Sequence, residues 1–168
     1  SLQDVRVWGA ERQLIPFDGA HTTLHQAYAE VFLNDQFSLK AGRQEINLDD
    51  QRIFGAVAWT QQARVHDAAI FKYKKNKFKA DIALAFNQNG PRNVGTYYMD
   101  PGNGSGYKTF QYLWLHNEGE NIQGSLLFLN NGKQVEDIED GGTNFSQTIG
   151  GRFGYKSGKL AAFLNAYY

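Results

Sequence analysis

The sequence predicts an all-β protein, an antiparallel transmembrane β-barrel, on three observations. Segments of about ten residues alternate apolar and polar side chains with the period of two that a half-buried strand requires. The connections between them run short, long, short, long, as in an outer-membrane barrel with tight turns at one end and extended loops at the other. Pairing the segments across their short turns brings apolar residues together on one face, as directly opposed side chains must be.

Ser1 to Ala20 is of mixed character. Val5, Val7 and Ala10 suit the end of a strand, and Pro16-Phe17-Asp18-Gly19 reads as a turn. The regular pattern then gives strands Thr22–Leu33, Phe37–Ile46, Arg64–Tyr73, Lys77–Asn87, Tyr107–His116, Asn121–Asn130, Gln147–Tyr155 and Lys159–Tyr168. Short turns fall at Asn34-Asp35-Gln36, Lys75-Asn76, Asn117-Glu118-Gly119 and Ser157-Gly158, and long loops at Asn47–Ala63, Gln88–Gly106 and Asn131–Ser146.

Turn by turn, the expected apolar pairs are Leu33 with Phe37 and Val31 with Leu39; Tyr73 with Phe78 and Phe71 with Ala80; Trp114 with Ile122, Tyr112 with Gly124 and Phe110 with Leu126; and Tyr155 with Leu160 and Phe153 with Ala162. Phe71, Ile82, Phe110, Leu126 and Phe153 are therefore expected on the lipid side. Phe37, Tyr73, Phe78, Trp114 and Tyr155 recur beside the short turns like an interfacial girdle. The alternative is one face of a soluble sheet packed on a core.

The opposite face is polar. On it fall Gln26, Glu30, Ser38, Lys40, Gln44, Arg64, His66, Lys72, Lys79, Asp81, Thr109, Gln111, Arg152 and Lys159. In a barrel this is the lumen wall. Lys40, Arg64, His66, Lys72, Lys79, Asp81, Arg152 and Lys159 are the candidate residues for charge selectivity, because a ring of Lys and Arg favours anions. The competing reading leaves these charges merely solvated or paired. Arg43 and Asp67 break the pattern: alternation puts both on the lipid face, opposite each other, where an Arg near the midplane costs about 2–4 kcal/mol. A bulge near Gly42 that turns Arg43 inward would relieve this.

Composition narrows the function classes. The chain has 168 residues, enough for one domain. Lys plus Arg number 17 and Asp plus Glu number 17, so no global charge points to nucleic acid. There is no Cys, hence no disulfide framework and no thiolate metal site. No apolar run approaches the ~20 residues of a spanning helix, which leaves a barrel as the membrane fold. His21, His25, His66 and His116 lack metal-ligand spacing, and no Ser-His-Asp spacing suggests a nucleophile. The acidic loops Asp100–Gly106 and Glu136–Asn144 lack EF-hand spacing and read as ordinary turns. Neither an enzyme nor a cofactor is expected.

The words GRQ at Gly42 to Gln44, DDQR at Asp49 to Arg52 and WTQQARVHD from Trp59 to Asp67 stand in order behind HQAYAEVFL, His25 to Leu33. This stretch, His25 to about Tyr73, resembles the alginate-export family of outer-membrane, porin-like β-barrels. The resemblance implies a Gram-negative envelope protein in the bacterial outer membrane. It also implies a passive channel for polar or anionic solutes or an acidic polysaccharide, with outer-membrane lipid around it. Members of that family are about twice this length or more, and no signal peptide stands at Ser1. Residues 1–168 are thus expected to be part of a single barrel domain, a fragment of about eight strands of a larger barrel. The resemblance also suggests that Arg43, Asp49, Asp50, Arg52 and Asp67 matter at the pore end. The competing reading is a lattice of Arg43, Glu45, Asp49, Asp50, Arg52 and Arg64 that pins the long loop. A second function of another class is a structural barrel whose long loops dock other envelope proteins.

Overall fold

The structure is a computed structural model that describes residues 2–5, 21–59, 63–88, 91, 93, 95–98, 106–135 and 142–168. Strands β1 (Leu2–Val5) and β2 (His21–Leu24) form a two-stranded antiparallel sheet. The remaining strands are β3 (Ala27–Phe32), β4 (Phe37–Gln44), β5 (His66–Lys75), β6 (Phe78–Phe86), β7 (Thr109–Glu118), β8 (Ile122–Gln134), β9 (Thr143–Ser157) and β10 (Leu160–Tyr167). They form one antiparallel sheet in sequence order, with β3 and β10 as its free edges. The turn at Pro16-Phe17-Asp18-Gly19, Val7, Ala10 and most of the segments Asp100–Gly106 and Glu136–Asn144 lie outside the described residues.

The expected eight-strand meander is present, with shifted bounds. The first strand breaks at His25-Gln26 into β2 and β3. Arg64 precedes β5, and Lys159 sits in the turn before β10. The hairpin of β8 and β9 runs out to the pair Gln134 and Thr143, so half of the third long loop is ladder.

The ladder is slanted. The row of partners Phe37, Tyr73, Ala80, Leu115, Leu126, Gly151 meets the first short turn at Phe37. Each later turn lies two residues further beyond that row, at Lys75 and Phe78, at Ile122, and at Ser157 and Leu160. Two residues rise about 6.6 Å along a strand while two strands advance about 9.6 Å across the sheet. With the turns level, the strands tilt by roughly 35°, as barrel closure demands.

Two faces follow from the register. Val31, Leu39, Phe71, Ile82, Phe128 and Ile149 lie in one row, are 38–56% exposed and define the outer face. Leu113 stands in the same row between Ile82 and Phe128. The inner face carries His66, Ala68, Ile70, Ala83, Ala85, Phe110, Tyr112, Trp114 and Leu127, all buried. What buries them is the connection between β4 and β5, which lays Ile46, Leu48 and Phe54 onto them in a single cluster.

Three hairpins keep the expected faces: Val31 opposes Leu39 as read, and the β5–β6 and β9–β10 pairings slide by two residues without exchanging sides. The β7–β8 hairpin does not. Trp114 opposes Leu127 and Tyr112 opposes Leu129, an odd shift that turns Phe110, Tyr112 and Trp114 inward and Thr109 and Gln111 outward. Phe110 is therefore core, 1% exposed, rather than part of the lipid face, and Trp114 leaves the girdle. Phe37, Tyr73 and Phe78 remain outside beside the turns, their neighbouring rings 4.7 and 6.1 Å apart.

Candidate functional site

The site is the inner face together with the loop folded onto it. The loop is shaped by its own backbone bonds: Leu48 N–H donates to the Phe54 carbonyl (3.1 Å), Gln51 N–H to the Leu48 carbonyl (2.8 Å) and Arg64 N–H to the Ala56 carbonyl (2.6 Å). The Asn47 side chain accepts from Ala56 N–H at 2.7 Å. Asp49, Gln51 and Val57 take left-handed φ values of 51°, 63° and 53°. That conformation is costly for a β-branched Val. At the root, the Phe54 ring sits tilted against Tyr112 (5.0 Å) and edge-on to Phe110 (5.2 Å) and His66 (5.8 Å). The His66 Nδ1 lies 2.9 Å from the Tyr107 hydroxyl. Burial pushes the Tyr107 phenol up to about 12.

At the tip the loop is held by acids. Asp49 accepts from Trp114 Nε1 at 3.2 Å and lies 3.8 Å from His116 Nδ1. Asp50 accepts from Asn165 Nδ2 at 2.8 Å, with Arg152 at 3.4 Å and Arg52 at 3.8 Å. These contacts tie the first long loop to β7, β9 and β10. The loop segment from Asn47 to Ala56 therefore lies over the inner face instead of projecting from the end of the sheet.

On β3 to β6 the turn-side part of the inner face is charged, and the loop tip borders it through Asp49 beside His116, which opposes Lys79. Glu30 opposes Lys40, Ser38 opposes Lys72, and Lys72 opposes Asp81. The Ser38 hydroxyl donates to Glu30 at 2.9 Å, and Lys40 Nζ sits 3.8 Å from the centre of the Tyr28 ring. Lys74 and Lys79 face each other at the turn-side rim.

The sequence-derived candidates divide accordingly. Lys40, Lys72, Lys79 and Asp81 meet on the turn-side half of the wall. His66 is in the buried cluster, and Arg152 is on the wall engaged by Asp50. Arg64 is exposed ahead of β5 and Lys159 is exposed in a turn, so neither stands in the ladder of the inner face. Asp49, Asp50 and Arg52 form the loop tip. Arg43 and Asp67 stand apart on the outer face. Their register is unbroken, with Gly42 opposite Ala68 and Gln44 opposite His66, so no bulge turns Arg43 inward. Instead Arg43 grips Asp67 through two bonds, Nε to Oδ1 at 2.9 Å and Nη2 to Oδ2 at 2.7 Å. Gly42 (φ 123°) sits against the β3 backbone at Ala27, where a Cβ would collide with the carbonyl oxygen. The loop lattice of the sequence reading is thus real for Asp49, Asp50 and Arg52, while Arg43 belongs to a cross-strand pair. Sequence reasoning missed Lys74, which shares the parity of Lys72, and the inward loop, whose signal was Ile46, Leu48, Ile53 and Phe54 within a nominally polar connection.

The family model described as alginate export matches residues 1–85, just over half of the chain. The chain belongs to the alginate-export family. The matched part carries β1 to β6, the inward loop and the Lys40–Lys72–Asp81 wall. The remaining alginate-export sheet, β7 to β10, supplies Trp114, His116, Arg152 and Asn165, on which that loop is seated. No curated protein and no solved structure matches the chain.

Proposed function

We propose that this chain forms part of the wall of an outer-membrane channel. Polar and anionic solutes, such as an acidic polysaccharide, would pass it by diffusion. The observation that carries the reading is the inversion of the faces. A tilted sheet presents a continuous row of half-exposed apolar side chains outward, while Lys40, Lys72, Asp81, Arg152 and the folded loop lie inward. A soluble protein rarely exposes so large an apolar surface; lipid is the solvent that suits it. Family membership supports the export channel.

In this reading the inner wall works in two zones. Lys40, Lys72, Lys74 and Lys79 raise the local concentration of anions at the turn-side mouth by Coulomb attraction. The loop then narrows the path beside Asp49 and Asp50. No bond is made or broken, so the conduit is passive and not an enzyme.

The test is reversal potential in a planar bilayer, using the full-length protein and a Lys40→Glu, Lys72→Glu, Lys79→Glu variant. A shift toward cation preference at low salt is expected, fading near 1 M where the Debye length is about 3 Å. Conductance with an unchanged potential would remove these lysines from the path. Absence of conductance together with a stable co-purifying envelope protein would favour a docking barrel instead.

A further inference from the structure

The outer face is not apolar throughout. Beyond the row of Leu113, Phe128 and Ile149 stands a chain of neutral side chains on three adjacent strands. Gln111 Nε2 donates to the Thr109 hydroxyl (2.7 Å), Asn130 Nδ2 to Gln111 Oε1 (2.7 Å) and Gln147 Nε2 to Asn130 Oδ1 (2.8 Å). On β4 and β5 the corresponding limit is the Arg43–Asp67 pair. On the other side the apolar zone is bounded by Phe37, Tyr73 and Tyr155 beside the short turns.

Resting on the membrane reading above, we infer that this face is built for a lipid layer with a thin hydrocarbon zone, bounded on the loop side by these polar groups. The spacing argues for it. Phe37 to Arg43, and Tyr73 to Asp67, are six residues apart; Ile122 to Asn130, and Tyr155 to Gln147, are eight apart. With a rise of about 3.3 Å per residue and a tilt of roughly 35°, these spans are about 16 and 22 Å high, against about 25 Å for the usual apolar band.

The chemistry agrees. Carboxamides that bond to one another need little from the solvent, so they tolerate the edge of the hydrocarbon zone, where an unpaired polar group would be costly. Arg43 and Asp67 neutralise each other at the same limit. Phe86, which pairs with Thr109, and Phe145, two residues beyond Gln147, then fall at the interface as loop-side aromatics.

Nitroxide labels at positions 113 and 145 of the full-length protein, in phosphatidylcholine vesicles, test this by their accessibility to oxygen and to a water-soluble nickel chelate. The label at 113 should be oxygen-rich. The label at 145 should be exposed to nickel. In the variant Gln111→Leu, Asn130→Leu, Gln147→Leu, the label at 145 should sink by about 5 Å, the height of one row. A label at 145 as oxygen-rich as that at 113 in the unaltered protein overturns the inference while leaving the membrane reading intact, and so does an unmoved label in the variant. Dipolar broadening between labels on two copies would assign the carboxamides to a protein contact and also overturn it. Failure of every label to enter the hydrocarbon would sink both readings.

Discussion

Replacing Phe54 by Ala should release the inward loop without dismantling the sheet. Phe54 is 6% exposed and wedged among Phe110, Tyr112 and His66 at ring distances of 5.0–5.8 Å. Truncating a buried Phe costs about 3–5 kcal/mol. The sheet keeps its own ladder, so most of that cost falls on loop closure. Three kcal/mol at about 1.4 kcal/mol per decade is roughly a hundredfold rise in the open fraction. Hydrogen exchange reads this directly. The Leu48 amide is held by the Phe54 carbonyl and the Ala56 amide by Asn47, both within the loop. Their protection should fall about a hundredfold, while amides in β5 and β6 keep theirs. In the bilayer, the channel should become noisier or more conductive. Unchanged protection at Leu48 and Ala56 would show that the acidic tip at Asp49 and Asp50 holds the loop alone, and that the aromatic root does not determine its position.

Two further outcomes are expected. Asp67→Ala should cost no more than about 1 kcal/mol in urea unfolding from vesicles if the Arg43 pair lies at the interface, whereas about 2–4 kcal/mol would place Arg43 deep in lipid. For Tyr107, burial keeps the phenol protonated, so the folded protein holds that proton more tightly than the unfolded chain. This contribution to stability is complete below about pH 10 and is lost as pH rises toward about 12, the value to which the phenol is raised. A Tyr107→Phe variant should lack that alkaline loss, and an identical loss in both proteins would refute it.

Much of this was legible in the sequence, for reasons that individual strands make clear. β5 and β6 have one apolar and one mixed face, so a pairing error of two residues left every side chain on the correct side. β7 has apolar residues on both faces, Phe110, Tyr112 and Trp114 on one and Leu113 and Leu115 on the other. Alternation could not choose between them. The choice was made by Phe54, which packs on the aromatic side from more than fifty residues away. The acids of the loop were recognisable as fasteners, but their partners Trp114, Arg152 and Asn165 could not be assigned before the sheet brought them across. Alternation set Arg43 opposite Asp67 on the outer face, but the cost of a charge there argued for a bulge that turns Arg43 inward; the register is unbroken, and the carboxylate neutralises the guanidinium in place.

The consecutive strand order has a kinetic consequence. Every strand of the main sheet bonds only to its neighbours in sequence, so the sheet can zip up hairpin by hairpin with small loop-closure entropies. The contact of Asp50 with Asn165 is different: it joins residues 115 positions apart and requires β9 and β10 to be in place. The tip of the loop therefore finds its seat last, whereas the root at Phe54 needs only β5 and β7. Until then Asp50 lacks its partners Arg152 and Asn165, and the partly assembled sheet, with its last strand edge unpaired, is the species most prone to aggregation.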